Sequence, residues 1–207
     1  MSIAHGAWEH DFGELLEDVD WAVVLSLVRA MSCNHRFKLL HFNFVHRTYI
    51  TPVRLNKIDP ARGASCPKCG LLDASFLHLA RSCQMVYQFW RAVVGKVEEV
   101  MGLRLKVSPV TCLLGVVKRP RGRNIPYKRT QLALVLAKRR VAIGWMISRC
   151  PSISCWISDL MEWGAAEEQH LCITRRGKGG LTDVVAWGTL LVHFSSVEEL
   201  RFRGEHG

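Results

Sequence analysis

The 207-residue sequence predicts an all-α fold, an irregular helical bundle interrupted by one small loop rich in cysteine and histidine. Three observations carry this reading. Apolar residues recur at three- and four-residue spacing over most of the chain, as on the buried stripe of a helix. No alternating apolar and polar run suggests a strand outside the last thirty residues. Cys66, Cys69, His78 and Cys83 fall in a C-x2-C-x8-H-x4-C pattern between two helical stretches.

The elements follow in order. Residues 1–17 form an acidic leader: residues 1–20 hold Glu9, Asp11, Glu14, Glu17, Asp18 and Asp20 and no Lys or Arg. Residues 18–117 form a helical segment that contains the cysteine loop at 63–83. Asp18 or Asp20 can cap its first helix, which runs through Trp21, Val24, Leu25 and Val28. A second helix is predicted over 35–48, with Phe37, Leu40, Phe44 and Val45 on one side. Thr51-Pro52 reads as an N-cap followed by proline at the first helical position, which opens a short helix through Leu55 and Ile58.

After the loop, Val86, Phe89, Trp90, Val93, Val97 and Met101 form an apolar stripe over 84–101. Ser108-Pro109 opens a short piece that ends near Gly115. Residues 118–129, KRPRGRNIPYKR, read as a basic linker because two prolines and a glycine oppose regular structure. Residues 130–172 are predicted as a helical hairpin. Its first helix covers roughly 127–149, with Leu132, Val135, Leu136, Ile143, Met146 and Ile147 inward. Its second begins at Pro151-Ser152, with Ile153, Trp156, Ile157, Leu160 and Met161 inward. The tail, 173–207, is poorly defined, and a helix is expected in LTDVVAWGTLLVHF.

The spacing of the four Cys and His residues points to a metal. Three thiolates and one imidazole complete the tetrahedral shell of zinc and leave no position for water or substrate. One structural zinc in a CCHC knuckle is therefore expected, with no catalytic role. Gly70 after the second cysteine suits a sharp turn. The remaining Cys33, Cys112, Cys150, Cys155 and Cys172 are expected to be buried free thiols. His41 and His46 are five apart, a poor spacing for two ligands on one helix face.

Charge suggests a partner. Lys and Arg number 28 against 18 Asp and Glu, a net charge of +10. Lys118, Arg119, Arg121, Arg123, Lys128, Arg129, Lys138, Arg139 and Arg140 lie in a stretch without acids, with Tyr127 placed to stack on a base. Arg47, Arg54 and Lys57, near Tyr49, form a second basic cluster before the knuckle. RNA or DNA is the expected partner, with no membrane and no small-molecule substrate. The acidic start is unlike a signal peptide and no apolar run spans a bilayer, so the expected location is intracellular, in the nucleus or cytoplasm.

Catalysis finds no support in the motifs. RRGKGG lacks the order of a phosphate-binding loop. Cys155, Glu167 and His170 are not placed together by any pattern, and no adjacent Asp-Asp suggests a two-metal site. The chain is expected not to be an enzyme.

HFNFVHRTYITPVRLNKI, then CPKCG, then FLHLARSC, then FW together resemble the C-terminal region of LINE-type (non-LTR) retrotransposon reverse transcriptase polyproteins. The matching residues are His46, Arg47, Tyr49, Thr51, Pro52, Arg54 and Leu55, then Cys66, Cys69, Gly70, Leu77, His78, Cys83, Phe89 and Trp90. Cys112-Leu113-Leu114-Gly115 and Pro151-Ser152-Ile153 through Trp156 also resemble the family, and Trp187 hints at its end. The resemblance covers about residues 18–170. It implies an accessory module that holds RNA template or target DNA, severed from the polymerase and endonuclease. The alternatives are a protein-interaction domain docking on a polymerase core, or a translated element fragment without function.

Overall fold

A computed structural model describes residues 3–12, 19–32, 34–117 and 127–174. The described residues form helices and no strands, an all-α arrangement. The helices are α1 (Ile3–Phe12), α2 (Trp21–Ala30), α3 (His35–Val45), α4 (Pro52–Ile58), α5 (Gln84–Met101), α6 (Tyr127–Ile143) and α7 (Ile153–Thr174). Two short π-helical turns, His78–Ser82 and Val110–Leu114, precede and follow α5. None of these helices is long and apolar enough to cross a membrane.

The caps follow the sequence. Asp20 accepts from the backbone N–H groups of Ala22 and Val23 at the start of α2, and Asn34 accepts from Arg36 N at the start of α3. Thr51 accepts from Arg54 N, with Pro52 next to it, as expected for α4. Gly102 and Gly115 close α5 and the second π-helical turn in the left-handed region.

The centre of the bundle is α6. From Arg129 to Lys138 every residue is buried, so this stretch has no polar face. It packs against α3, α5 and α7. The expected inward set is right for Leu132, Val135 and Leu136 and wrong for Ile143, Met146 and Ile147, which are exposed. The physical reason is that α6 ends at Ile143 instead of continuing to 149, and the chain turns over Gly144–Met146, so helical spacing no longer assigns a face. In α2, Val24 and Leu27 face inward and Leu25 outward. In α7 the expected Trp156, Ile157 and Leu160 are buried.

Indole N–H groups tie the layers together. Trp8 donates to Val45 O at 2.8 Å, Trp90 to Ala80 O at 2.9 Å and Trp156 to Ala133 O at 2.9 Å. Each bond joins two different elements and satisfies a donor that burial would otherwise strand.

The residues read as an acidic leader include a docked helix. Trp8 of α1 is fully buried and meets Phe76 edge-on at 5.8 Å. Asp11 pairs with Arg47. The stretch read as a basic linker ends in helix, since α6 already begins at Tyr127, while residues 118–126 lie outside the described residues. Of the segment 173–207, the two residues up to Thr174 belong to α7, and the helix expected in LTDVVAWGTLLVHF lies outside the described residues.

Candidate metal centre

The local fold brings the four sequence-predicted ligands to one point. The Cys66–Cys69 turn is closed by Gly70 N–H donating to Cys66 O at 2.9 Å and Cys66 N–H donating to Leu71 O at 2.8 Å. Gly70 has φ +75°, the left-handed conformation that glycine adopts without steric cost. Asp73 is also left-handed, at φ 53°, and helps send the chain back so that Ala74 N–H reaches Ala64 O at 3.0 Å. Ser75 Oγ then accepts from His78 N at 3.2 Å and starts the turn that carries the imidazole. The i to i+5 bond from Cys83 N–H to His78 O, 2.8 Å long, sets the last two ligands on one side.

Two interactions hold this loop to the body. Phe76 is buried between Trp8, Phe44 and Trp145, with ring centroids 5.3 Å apart for the last pair. Lys68, between the first two cysteines, donates to Gly144 O and to Trp145 O, the latter at 3.2 Å. The knuckle is thus fastened to the turn after α6. Nothing in the C-x2-C spacing announces this role of Lys68, because it depends on a partner 77 residues away.

The ligand atoms fit a single tetrahedral ion. Cys66 Sγ and Cys83 Sγ lie 3.9 Å apart, and Cys69 Sγ and His78 Nε2 lie 3.3 Å apart. All four atoms are within 4.8 Å of one another. A zinc–sulfur bond of about 2.3 Å in a tetrahedron separates two sulfurs by about 3.8 Å. Three soft sulfurs and one imidazole suit zinc, and four protein donors complete the shell.

Burial is unequal across the cluster. Cys66 and Cys83 are buried, His78 is half-buried and Cys69 is exposed. Burial pushes the Cys83 thiol up to about 11. A backbone hydrogen bond from Leu71 draws the Cys69 thiol below its ordinary value. Burial and then the Lys68 charge hold His78 low, which favours the neutral imidazole that ligates metals. Lys68 itself is lowered, first by burial and against the pull of the surrounding sulfurs.

The other cysteines depart in part from expectation. Cys112 is fully buried, and burial raises its thiol to about 12. Cys155 is exposed and Cys150 only half-buried, because they flank the α6–α7 turn at the surface. Cys33 and the Cys172 side chain lie outside the described residues. His41 and His46 are remote from ligation, as expected: His41 contacts Lys138 and His46 caps α3.

The basic residues read as phosphate contacts divide sharply. Arg47 is committed to the interior: it donates to Ala7 O and Asp11, and its guanidinium lies 5.2 Å from the Trp8 ring and 5.4 Å from the Phe76 ring. Arg129 and Lys138 are buried within α6, out of reach of a polyanion. Arg139 and Arg140 donate to Asp159, which is itself buried. A run of cations in sequence does not form one surface when its helix is central. Arg54 and Lys57 on α4 are exposed, with no ion pair among the described residues. Lys118, Arg119, Arg121 and Arg123 lie outside the described residues, as do the side chains of Tyr127 and Lys128.

No protein-family model matches the chain, and no curated protein matches it.

Proposed function

We propose that this protein is a zinc-stabilised, nucleic-acid-binding accessory module, similar in role to the C-terminal region of a LINE-type reverse transcriptase and without a catalytic centre of its own. The carrying observation is the closed Cys66–Cys69–His78–Cys83 cluster, held between α4 and α5. Its two flanks hold the His46–Leu55 run and the Phe89-Trp90 pair on which the resemblance rests. A full shell of protein ligands supports a bracing role for one zinc ion.

Arg54 and Lys57 are exposed cations free of ion pairs among the described residues and can meet a phosphate backbone. They stand on α4, and Asn56 of the same helix donates to Pro60 O at 3.3 Å and to Arg62 O, which steadies the chain entering the knuckle. The acid-free 118–123 stretch adds four further cations by sequence. Binding of this kind releases counterions and so weakens steeply with salt.

The test measures binding of single-stranded RNA and of duplex DNA to the zinc-loaded full chain at 50 mM and 200 mM salt. We expect at least a tenfold loss over that range. Arg54→Ala with Lys57→Ala, and separately Arg119, Arg121 and Arg123 to Ala, should each weaken binding and flatten the salt slope. Binding that is absent, or indifferent to salt, overturns the reading.

A further inference from the structure

We infer that Lys68 is a positioning residue for the metal: its ammonium balances the net negative charge of the loaded Cys66–Cys69–His78–Cys83 shell and thereby ties metal loading to the turn after α6. The inference rests on the zinc reading of the cluster proposed above and adds to it a residue that is not a ligand.

The charge of the shell comes first. Three thiolates and a neutral imidazole around a dication leave one net negative charge. Cys66 and Cys83 are buried, so water does little to stabilise that charge on their side of the cluster. A charge taken out of water needs an opposite one at hand.

The cation delivered by the fold is Lys68. It stands between Cys66 and Cys69 and is half-buried. No carboxylate pairs with it among the described residues. Burial weighs against its charge, and the sulfurs of Cys66, Cys83, Cys150 and Cys69 favour it, in that order. Its charge also reaches the His78 imidazole, where burial is the larger influence. All four candidate ligands thus interact with one ammonium.

The ammonium is fixed in place. It has three donors, and Lys68 gives bonds to Gly144 O and to Trp145 O, the latter at 3.2 Å. These carbonyls are uncharged, so the positive charge remains for the sulfurs. The acceptors are themselves held: Gly144 N–H donates to Arg140 O at 3.3 Å and Trp145 N–H to Ala142 O at 3.1 Å. The Trp145 ring packs on Phe76 of the knuckle at 5.3 Å. A continuous set of contacts therefore runs from the end of α6 to the cluster.

This arrangement couples two events. Thiolates at the cluster give the half-buried ammonium the counter-charge it otherwise lacks, and so hold it on the two carbonyls. By linkage, whatever loading adds to the Lys68 contacts, those contacts return to loading.

The experiment uses the full chain and two measurements: zinc affinity by competition with a chelator, and hydrogen exchange across residues 143–149 with and without zinc. Lys68→Met keeps the stem and removes the charge, and should weaken zinc binding by about tenfold to a hundredfold. Lys68→Arg returns the charge and should recover most of that loss. Cys69→His exchanges a thiolate for a neutral ligand, so its loaded shell carries no net charge. In that background Lys68→Met should cost at most about threefold. Zinc should slow exchange across 143–149 in the wild type and much less in Lys68→Met. Equal losses from Lys68→Met in the two backgrounds, or no recovery with arginine, make Lys68 a tether only and overturn the inference. So does zinc protection of 143–149 that is the same in the wild type and Lys68→Met. If Cys69→His takes up no zinc, the arginine variant and the exchange comparison decide. A wild type that takes up no zinc overturns the zinc reading and this inference with it, an outcome seen before any variant is compared.

Discussion

Lys138 Nζ lies 2.5 Å from His41 Nδ1 where α6 meets α3, and both side chains are fully buried. No carboxylate accompanies them among the described contacts; the ionisable neighbour that favours the ammonium is the Cys112 thiol. Burial holds the Lys138 amine down to about 7, and burial followed by the Lys138 charge holds His41 well below its ordinary range. The pair is a conflict within the core, since the charged form of either group lacks a counterion.

Replacing Lys138 should therefore stabilise the protein, and pH should reveal the cause. The amine titrates at 10.5 in its ordinary state and near 7 when folded. Between these values the unfolded chain binds a proton that the folded chain does not. The stability from this group is fully present above 10.5 and is lost as pH falls through about 7. Cys112 acts oppositely and higher up: its thiol is raised from 9.0 to about 12, so its contribution is complete below 9 and lost towards 12. The thiols of the metal cluster are common to wild type and a Lys138 variant, so the difference between the two chains from pH 7 to 9 reports Lys138. Urea unfolding of the zinc-loaded chain should give Lys138→Met a net gain of about 1–3 kcal/mol at pH 7, after the cost of leaving His41 unpartnered. The gap between wild type and variant should narrow by pH 8.5. A variant less stable at pH 7 with the same pH slope contradicts this assignment.

Gly115→Ala should be costly for two separate reasons. Its φ of +76° strains any L side chain, and a new Cβ would lie 2.8 Å from Gln131 Oε1 and 3.6 Å from His41 Cε1. Gln131 cannot simply move aside, because its amide N–H donates to Gly115 O. Thermal or urea unfolding should show a loss of about 2–4 kcal/mol. Gly95, with nothing near its Cβ position and helical neighbours, is the control: Gly95→Ala should be neutral or stabilising by about 1 kcal/mol.

The sequence made the Cys66–Cys69–His78–Cys83 cluster legible because its four residues obey a local spacing rule, and the caps of α2 and α4 legible because Asp20 and Thr51 act on residues two or three along. The fate of the basic residues was not legible. Lys138, Arg139 and Arg140 are adjacent in sequence, yet one contacts α3 and two contact α7. Their roles depend on α6 being central, and burial on all sides leaves no one-sided apolar stripe to reveal it. The role of Arg47 is hidden for a related reason, since its partners Ala7 and Asp11 come from a helix about 40 residues earlier. Helical spacing places Ile143, Met146 and Ile147 in the core only if α6 continues past Ile143, where it ends, and all three are exposed.

Asp159→Asn should separate the two neighbouring arginines from the rest of the basic stretch. Asp159 is 3 % exposed and accepts from Arg139 Nη1 at 2.7 Å and from Arg140. An asparagine keeps the shape and removes the charge that both guanidinium groups meet. We expect a stability loss of about 1–3 kcal/mol, lessened in the double variant with Arg139→Gln. A double-mutant cycle by urea unfolding measures the coupling, and additive losses would mean that the ion pair contributes nothing.

Metal binding should depend steeply on pH through the thiols it deprotonates. Burial raises the Cys83 thiol to about 11, so at neutral pH the ion must displace its proton. Each such proton adds about tenfold in apparent affinity per pH unit, and affinity must rise as pH rises. Competition with a chelator at pH 6.5 and 7.5 should show at least a tenfold difference, with one zinc per chain by native mass spectrometry. Cys69→Ser should abolish tight binding and lower the unfolding temperature. Cys155→Ser, also exposed but outside the cluster, should leave both unchanged. That contrast separates ligation from thiol loss in general. Equal behaviour of the two variants, or metal uptake indifferent to pH, would remove the zinc brace from the account of this fold.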